Sequence, residues 1–126
     1  MYFTVLGKNR EISLAELDLV QPSNISYPKK GIIMFDTKYP ELLPQLWGSI
    51  KVGKVVKEKE LPILLADIKI IGIQSEANGK HLKKTTWIRR YKLVDTFHTD
   101  KEIKNTGKEI INLENGCYGI VEQYQN

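Results

Sequence analysis

The stretch YFTVLGKNREISLAEL, residues 2–17, decides how the first half of the chain is read. Tyr2 to Leu6 is a β-favouring run closed by Gly7, which predicts a first strand. Ser13 and Glu16 then stand at capping-box spacing, where each side chain can accept an orphan backbone N–H of the other's turn. Ile12 and Leu17 sit where a hydrophobic staple would sit. The expectation is a helix over 14–20 that buries Leu14 and Leu17 and stops at Pro22.

Outward from that stretch, Ile25 to Tyr27 reads as a short strand and residues 28–31 as a turn. The run GIIMFD, residues 31–36, is mostly apolar, as a central strand should be. Pro40 opens a second helix through Leu46, with Leu42, Leu43 and Leu46 on one side and Pro44 in the first turn, where a missing N–H does least harm. Gly48 ends it. SIKVGKVV, residues 49–56, alternates, with Ile50, Val52 and Val55 as candidate inward positions. The order strand, helix, strand, strand, helix, strand over 1–57 is the ferredoxin-like split βαβ plan, so the fold class expected is α+β.

The second half, 58–126, is expected to be a smaller mixed α/β portion. Residues 62–66 form a helical turn and 68–73 a strand, and SEANGK is a loop. Thr99 and Glu102 repeat the capping spacing and predict a short helix over 100–105 that ends at Gly107. Residues 109–113 and 118–124 pair as a β-hairpin, because Asn115-Gly116 supplies the positive φ that such turns need. A final strand running to the last residues suggests a chain that continues beyond Asn126.

Of 126 residues, 19 are basic and 15 acidic, and 41% are hydrophobic, which is ordinary for one or two small globular domains. The single cysteine, Cys117, excludes an intramolecular disulfide and fits a reducing, cytoplasmic setting. No apolar run approaches the roughly 20 residues of a membrane span. Neither LGKNRE nor NGCYG carries the glycine pattern of a dinucleotide or phosphate loop. His81, His98 and Cys117 have no close metal-ligand spacing, so neither metal nor cofactor is expected. A Cys117–His98 nucleophile is outweighed by the reading of Cys117 as a small residue at a turn. FHTDKE, residues 97–102, is explained by capping, with Asp100 and Glu102 complementing the helix dipole.

One segment departs from this balance. KHLKKTTWIRRYK, residues 80–92, holds Lys80, Lys83, Lys84, Arg89, Arg90 and Lys92 without a carboxylate, and brackets Trp87 and Tyr91. Phosphates require cations without competing acids, and nucleobases offer π-faces to Trp, Tyr and Arg. A solvated face normally mixes signs. Even with Trp87 and Tyr91 in the core, the cations are left together on the opposite side. The alternative partner for this strip is an acidic protein surface.

YFTVLGKNREISLAEL, LPQLWGSIKVGKVV (residues 43–56) and GIVEQYQN (residues 119–126) resemble the N-terminal region of tRNA guanine methyltransferases that carry a THUMP domain. The matching features are a strand ending in Leu-Gly with a following Asn, a Ser-Leu-Ala-Glu helix, and a Gly-Ser-Ile-Lys strand, here Gly48 to Lys51. The resemblance covers most of the chain and is weakest over 58–78, and the second portion is short for a full THUMP domain. It implies a ferredoxin-like unit joined to a THUMP-like RNA-binding portion that grips tRNA. Catalysis in that family belongs to a following S-adenosylmethionine domain with an Asn/Asp-Pro-Pro-Tyr motif. No Pro-Pro pair occurs in this sequence, so no catalytic residue is carried over. The expectation is a cytoplasmic tRNA-binding recognition domain whose partners are RNA and a methyltransferase catalytic domain or subunit. Lys83, Lys84, Arg89 and Arg90 are its first phosphate contacts, Lys80 and Lys92 the next, and Trp87 is a candidate base-stacking ring.

Overall fold

A computed structural model describes residues 1–46, 48–73, 87–94, 107–113 and 116–124. They form a mixed α/β protein whose strand pairs are mostly antiparallel and whose helices are few and short. The chain divides into two compact units, Met1–Val55 with Glu122–Asn126, and Val56–Val121. The last residues group with unit 1 rather than with the second half, where the sequence reading put them. Among the described residues, no helix is long and apolar enough to cross a membrane.

Unit 1 begins with strand β1 (Tyr2–Leu6) and helix α1 (Arg10–Leu17), followed by a 3-10 turn over Asp18–Val20. Strands β2 (Ser23–Lys29) and β3 (Ile32–Asp36), a 3-10 helix over Pro40–Gln45 and strand β4 (Ser49–Lys57) complete it. The strand order is β2-β3-β1-β4, and each neighbouring pair is antiparallel. Thus β3 lies between β1 and β2, which α1 connects, and β1 lies between β3 and β4. Leu17, Val20, Leu43 and Leu46 from the helical segments pack on Ile33, Phe35 and Val52 from one sheet face. Ile32 to Phe35 are all buried, so β3 reads as a continuous apolar run instead of alternating.

Helix α1 starts four residues earlier than the capping-box reading places it. Asn9, not Ser13, is the N-cap, its Oδ1 accepting the Ile12 N–H at 3.2 Å. Starting at Arg10 rotates the buried stripe onto Ser13 and Leu17, four apart, and leaves Ile12 and Leu14 52% and 41% exposed. Ser13 and Glu16 instead hold the backbone of Gly48. The Ser13 hydroxyl donates to the Gly48 carbonyl at 2.6 Å, and Glu16 Oε2 accepts the Gly48 N–H at 2.7 Å. The Gly7 N–H donates to the same carbonyl at 2.9 Å. A methyl group on Gly7 would run into the Gly48 carbonyl oxygen, and one on Gly48 would meet Ser13 Cα at 3.1 Å.

Two further expectations change. The segment from Pro40 is a 3-10 helix, not an α-helix, because Pro44 has no N–H to return to the preceding turn. Ile50 points to solvent. Leu6 pairs with Ser49 while Val5 pairs with Lys51, so Ile50 is the extra residue of a β-bulge. Ser49 takes the inner position and shares a 2.7 Å hydrogen bond with Thr4.

Unit 2 contains helix α2 (Leu61–Leu64), strand β5 (Ile70–Ile73), a 3-10 helix over Trp87–Arg90 and strands β6 (Lys92–Val94), β7 (Gly107–Asn112) and β8 (Cys117–Tyr124), the last ending within unit 1. Strand β5 runs parallel to both β6 and β7, and β7 is antiparallel to β8. The predicted hairpin is present, with Gly116 at φ 75° in its turn. Gly107, expected to end a helix, is the first residue of β7, and the helix expected over 100–105 lies outside the described residues, as does the SEANGK loop. Leu61 and Leu65, four apart on one helical face, join Ile71, Ile73, Ile88, Tyr91, Ile110, Tyr118 and Ile120 in the core. Burial, and secondarily the Glu58 carboxylate, raises the Tyr118 hydroxyl above its ordinary pKa of 10.0.

Three outcomes are expected. Gly7→Ala should cost more stability than Gly116→Ala, since the first meets backbone and the second has open space and carries only the left-handed penalty of about 1–2 kcal/mol. Ser13→Ala should cost about 1–3 kcal/mol, and urea denaturation midpoints check the three. The neutral Tyr118 is favoured in the fold, so its contribution is complete below about pH 10 and is lost as pH rises beyond that value. Tyr118→Phe should therefore show a shallower alkaline fall in melting temperature than the parent.

Candidate nucleic-acid interface

The described part of the basic strip, Trp87 to Lys92, belongs wholly to unit 2. It is neither one helix nor one strand, but a 3-10 turn over Trp87–Arg90 that passes through Tyr91 into β6. In a 3-10 helix residues three apart eclipse one another. That geometry puts Ile88 and Tyr91 on one side, closed by the Tyr91 N–H to the Ile88 carbonyl at 3.1 Å, and both are buried. Arg89, Arg90 and Lys92 fall on the outside and are exposed.

Tyr91 fixes this turn to the rest of unit 2. Its hydroxyl donates to the Leu65 carbonyl at 2.7 Å. The Arg90 guanidinium lies over its ring, 4.8 Å from the centroid, and also donates to the Ala66 carbonyl. Both contacts leave the guanidinium charged and with donors to spare. Trp87 meets the same ring edge-on, with centroids 6.0 Å apart and planes at 83°. Trp87 is half-buried and packs against the unit 2 core, so it is partly anchor and partly accessible ring.

The parallel pairing of β5 and β6 adds a cation that the sequence does not point to. Ile70 stands opposite Lys92, and the Lys92 N–H donates to the Lys69 carbonyl at 2.9 Å. Exposed Lys69 is thereby brought beside Lys92 from a segment that reads as apolar. The same loop also exposes Asp67, which tempers the local field. Among the described residues, Arg89, Arg90, Lys92 and Lys69 form no ion pair.

Lys80, Lys83 and Lys84 lie outside the described residues, as do His81, His98, Thr99, Asp100 and Glu102. Cys117 is half-buried at the start of β8. Among the described residues no three His, Cys, Asp or Glu side chains gather in a way that would hold a metal ion.

Because Trp87 is only half-buried, Trp87→Ala should cost about 2 kcal/mol, below the roughly 3–5 kcal/mol of a fully buried ring. Urea denaturation in a Trp47→Phe background measures it, with emission that is neither fully blue nor fully solvent-like.

No protein-family model matches the chain, and no curated protein matches it in sequence.

Proposed function

We propose that this chain is an RNA-binding recognition domain directed at tRNA, serving a S-adenosylmethionine-dependent tRNA guanine methyltransferase in the cytoplasm. In this reading unit 1 is ferredoxin-like and unit 2 is a short THUMP-like portion. The observation that carries it is the outward display of Arg89, Arg90 and Lys92 from a turn whose apolar residues, Ile88 and Tyr91, are spent on the core. Cations fixed on a rigid turn bind a phosphate backbone with less ordering cost than cations on a free loop. Trp87, half-buried beside them, is the ring offered to a single-stranded base for stacking.

The strand order of unit 1 supports the first half of the reading. Two strand–helical segment–strand crossovers, each leaving a gap filled by a strand of the other, make up the split βαβ plan. Residues that carry the resemblance to the methyltransferases, Gly7, Ser13, Glu16 and Gly48, also meet in one place.

The test is tRNA binding as a function of salt. Each phosphate contact adds roughly 0.7–0.9 to the slope of log K against log salt. Charge reversal of Lys83, Lys84, Arg89 and Arg90 to Glu should abolish binding with the circular dichroism spectrum retained. A quadruple variant that binds tRNA as tightly as the parent sinks the reading. Equal displacement by heparin and by tRNA would favour docking of an acidic partner instead.

A further inference from the structure

A second set of cations gathers in unit 1, outside the strip already described. Lys8 and Arg10 lie in the connection from β1 to α1 and at the start of α1, and Lys29 and Lys30 lie at the turn from β2 to β3. These segments are far apart in sequence but are tied together, the Leu6 N–H donating to the Gly31 carbonyl at 2.8 Å. Arg10 reaches across this junction. A methyl group built on Gly31 would stand 3.6 Å from its Nη2, and Gly31 itself has φ 81°, so no side chain crowds the guanidinium there.

Lys8, Arg10 and Lys30 are exposed, and Lys29 is half-buried, with burial lowering its pKa from the ordinary 10.5. Glu11 is the carboxylate next to them in the chain. Glu16 holds the Gly48 N–H, and Asp36 pairs with the Met1 ammonium at 3.6 Å and accepts from Asn24. Asp36 stands at the far end of β3, opposite Ser23 and next to the Phe35–Tyr2 pair, whereas the cations stand at the end where Val5 meets Ile32. The cations of this junction are therefore separated from Asp36 by the length of the β1–β3 pair.

We infer that the end of unit 1 that carries Lys8, Arg10 and Lys30 is a second phosphate-contact surface, which binds an RNA backbone. This rests on the reading of the chain as RNA-binding. The segments 8–10 and 29–31 themselves carry only polar residues and a glycine, and the exposed apolar side chains nearest them in the chain, Ile12 and Tyr27, lie on α1 and β2. Cations, exposed backbone and a glycine are the groups that position a phosphate backbone.

The experiment uses the full chain and unfractionated tRNA, with affinity measured across a salt series. The triple variant Lys8→Gln, Arg10→Gln, Lys30→Gln should lose about tenfold in affinity and reduce the salt slope by about 2 to 3, with an unchanged urea midpoint. A double variant, Arg89→Gln with Lys92→Gln, is measured beside it. If the triple variant binds as the parent does while the double variant weakens, the second surface is refuted and the unit 2 interface stands. If only the triple variant weakens, the second surface stands and the unit 2 interface fails. If polyglutamate displaces tRNA at matched charge concentration, the partner is an acidic protein and the inference is overturned. If the parent chain does not bind tRNA, both are overturned.

Discussion

The backbone of Gly48 is the point on which unit 1 depends. Its carbonyl accepts from the Ser13 hydroxyl and the Gly7 N–H, and its own N–H is held by Glu16. These bonds join the end of β1, the middle of α1 and the start of β4, three segments that share no continuous ladder at that place. Backbone groups withdrawn from water must be paired, and here two helix side chains and the Gly7 N–H supply the partners once the chain has left the sheet. The approach is close enough that neither Gly7 nor Gly48 has room for a Cβ. Such an arrangement fixes the height of the helix over the sheet and hence the fit of Leu17 and Val20 onto Ile33, Phe35 and Val52.

In unit 2 the comparable element is Tyr91. A buried phenol must place its hydroxyl, and the Leu65 carbonyl takes it. The same ring offers its face to Arg90 and its edge region to Trp87. One side chain thus orders a helix end, a cation and an indole. This explains how a strip rich in Lys and Arg can be well placed: the apolar residues interleaved with the charges supply the fixing energy, at about 25 cal/mol for each Å² of apolar surface removed from water.

Cations stand at strand ends and turns in both units, with exposed Glu11 and Asp67 near them, while Glu16 and Asp36 are committed to backbone and to the chain's ammonium group. A charge that is engaged locally contributes little to the field that an approaching polyanion meets, so the effective surface is more basic than the net charge of +4 implies.

Much of the architecture was legible in the chain itself. The apolar run Ile32 to Phe35, the turn glycine Gly116 and the β-favouring Tyr2 to Leu6 each specify local backbone through side-chain shape and φ preference, and these form where expected. The basic segment was equally plain, because charge composition needs no fold to be seen. Ser13 and Glu16 were noticed for their spacing but assigned the wrong partner: capping is a local interaction, whereas Gly48 lies 35 residues from Ser13. The bulge that exposes Ile50 and the parallel register that sets Lys69 beside Lys92 are likewise pairings between distant segments. Sequence determined the strands, the turns and the presence of an unopposed cationic strip. Tertiary structure decided which side chains face inward and which cations meet, since those depend on helix start, strand register and hydrogen-bond partners that only the assembled chain supplies.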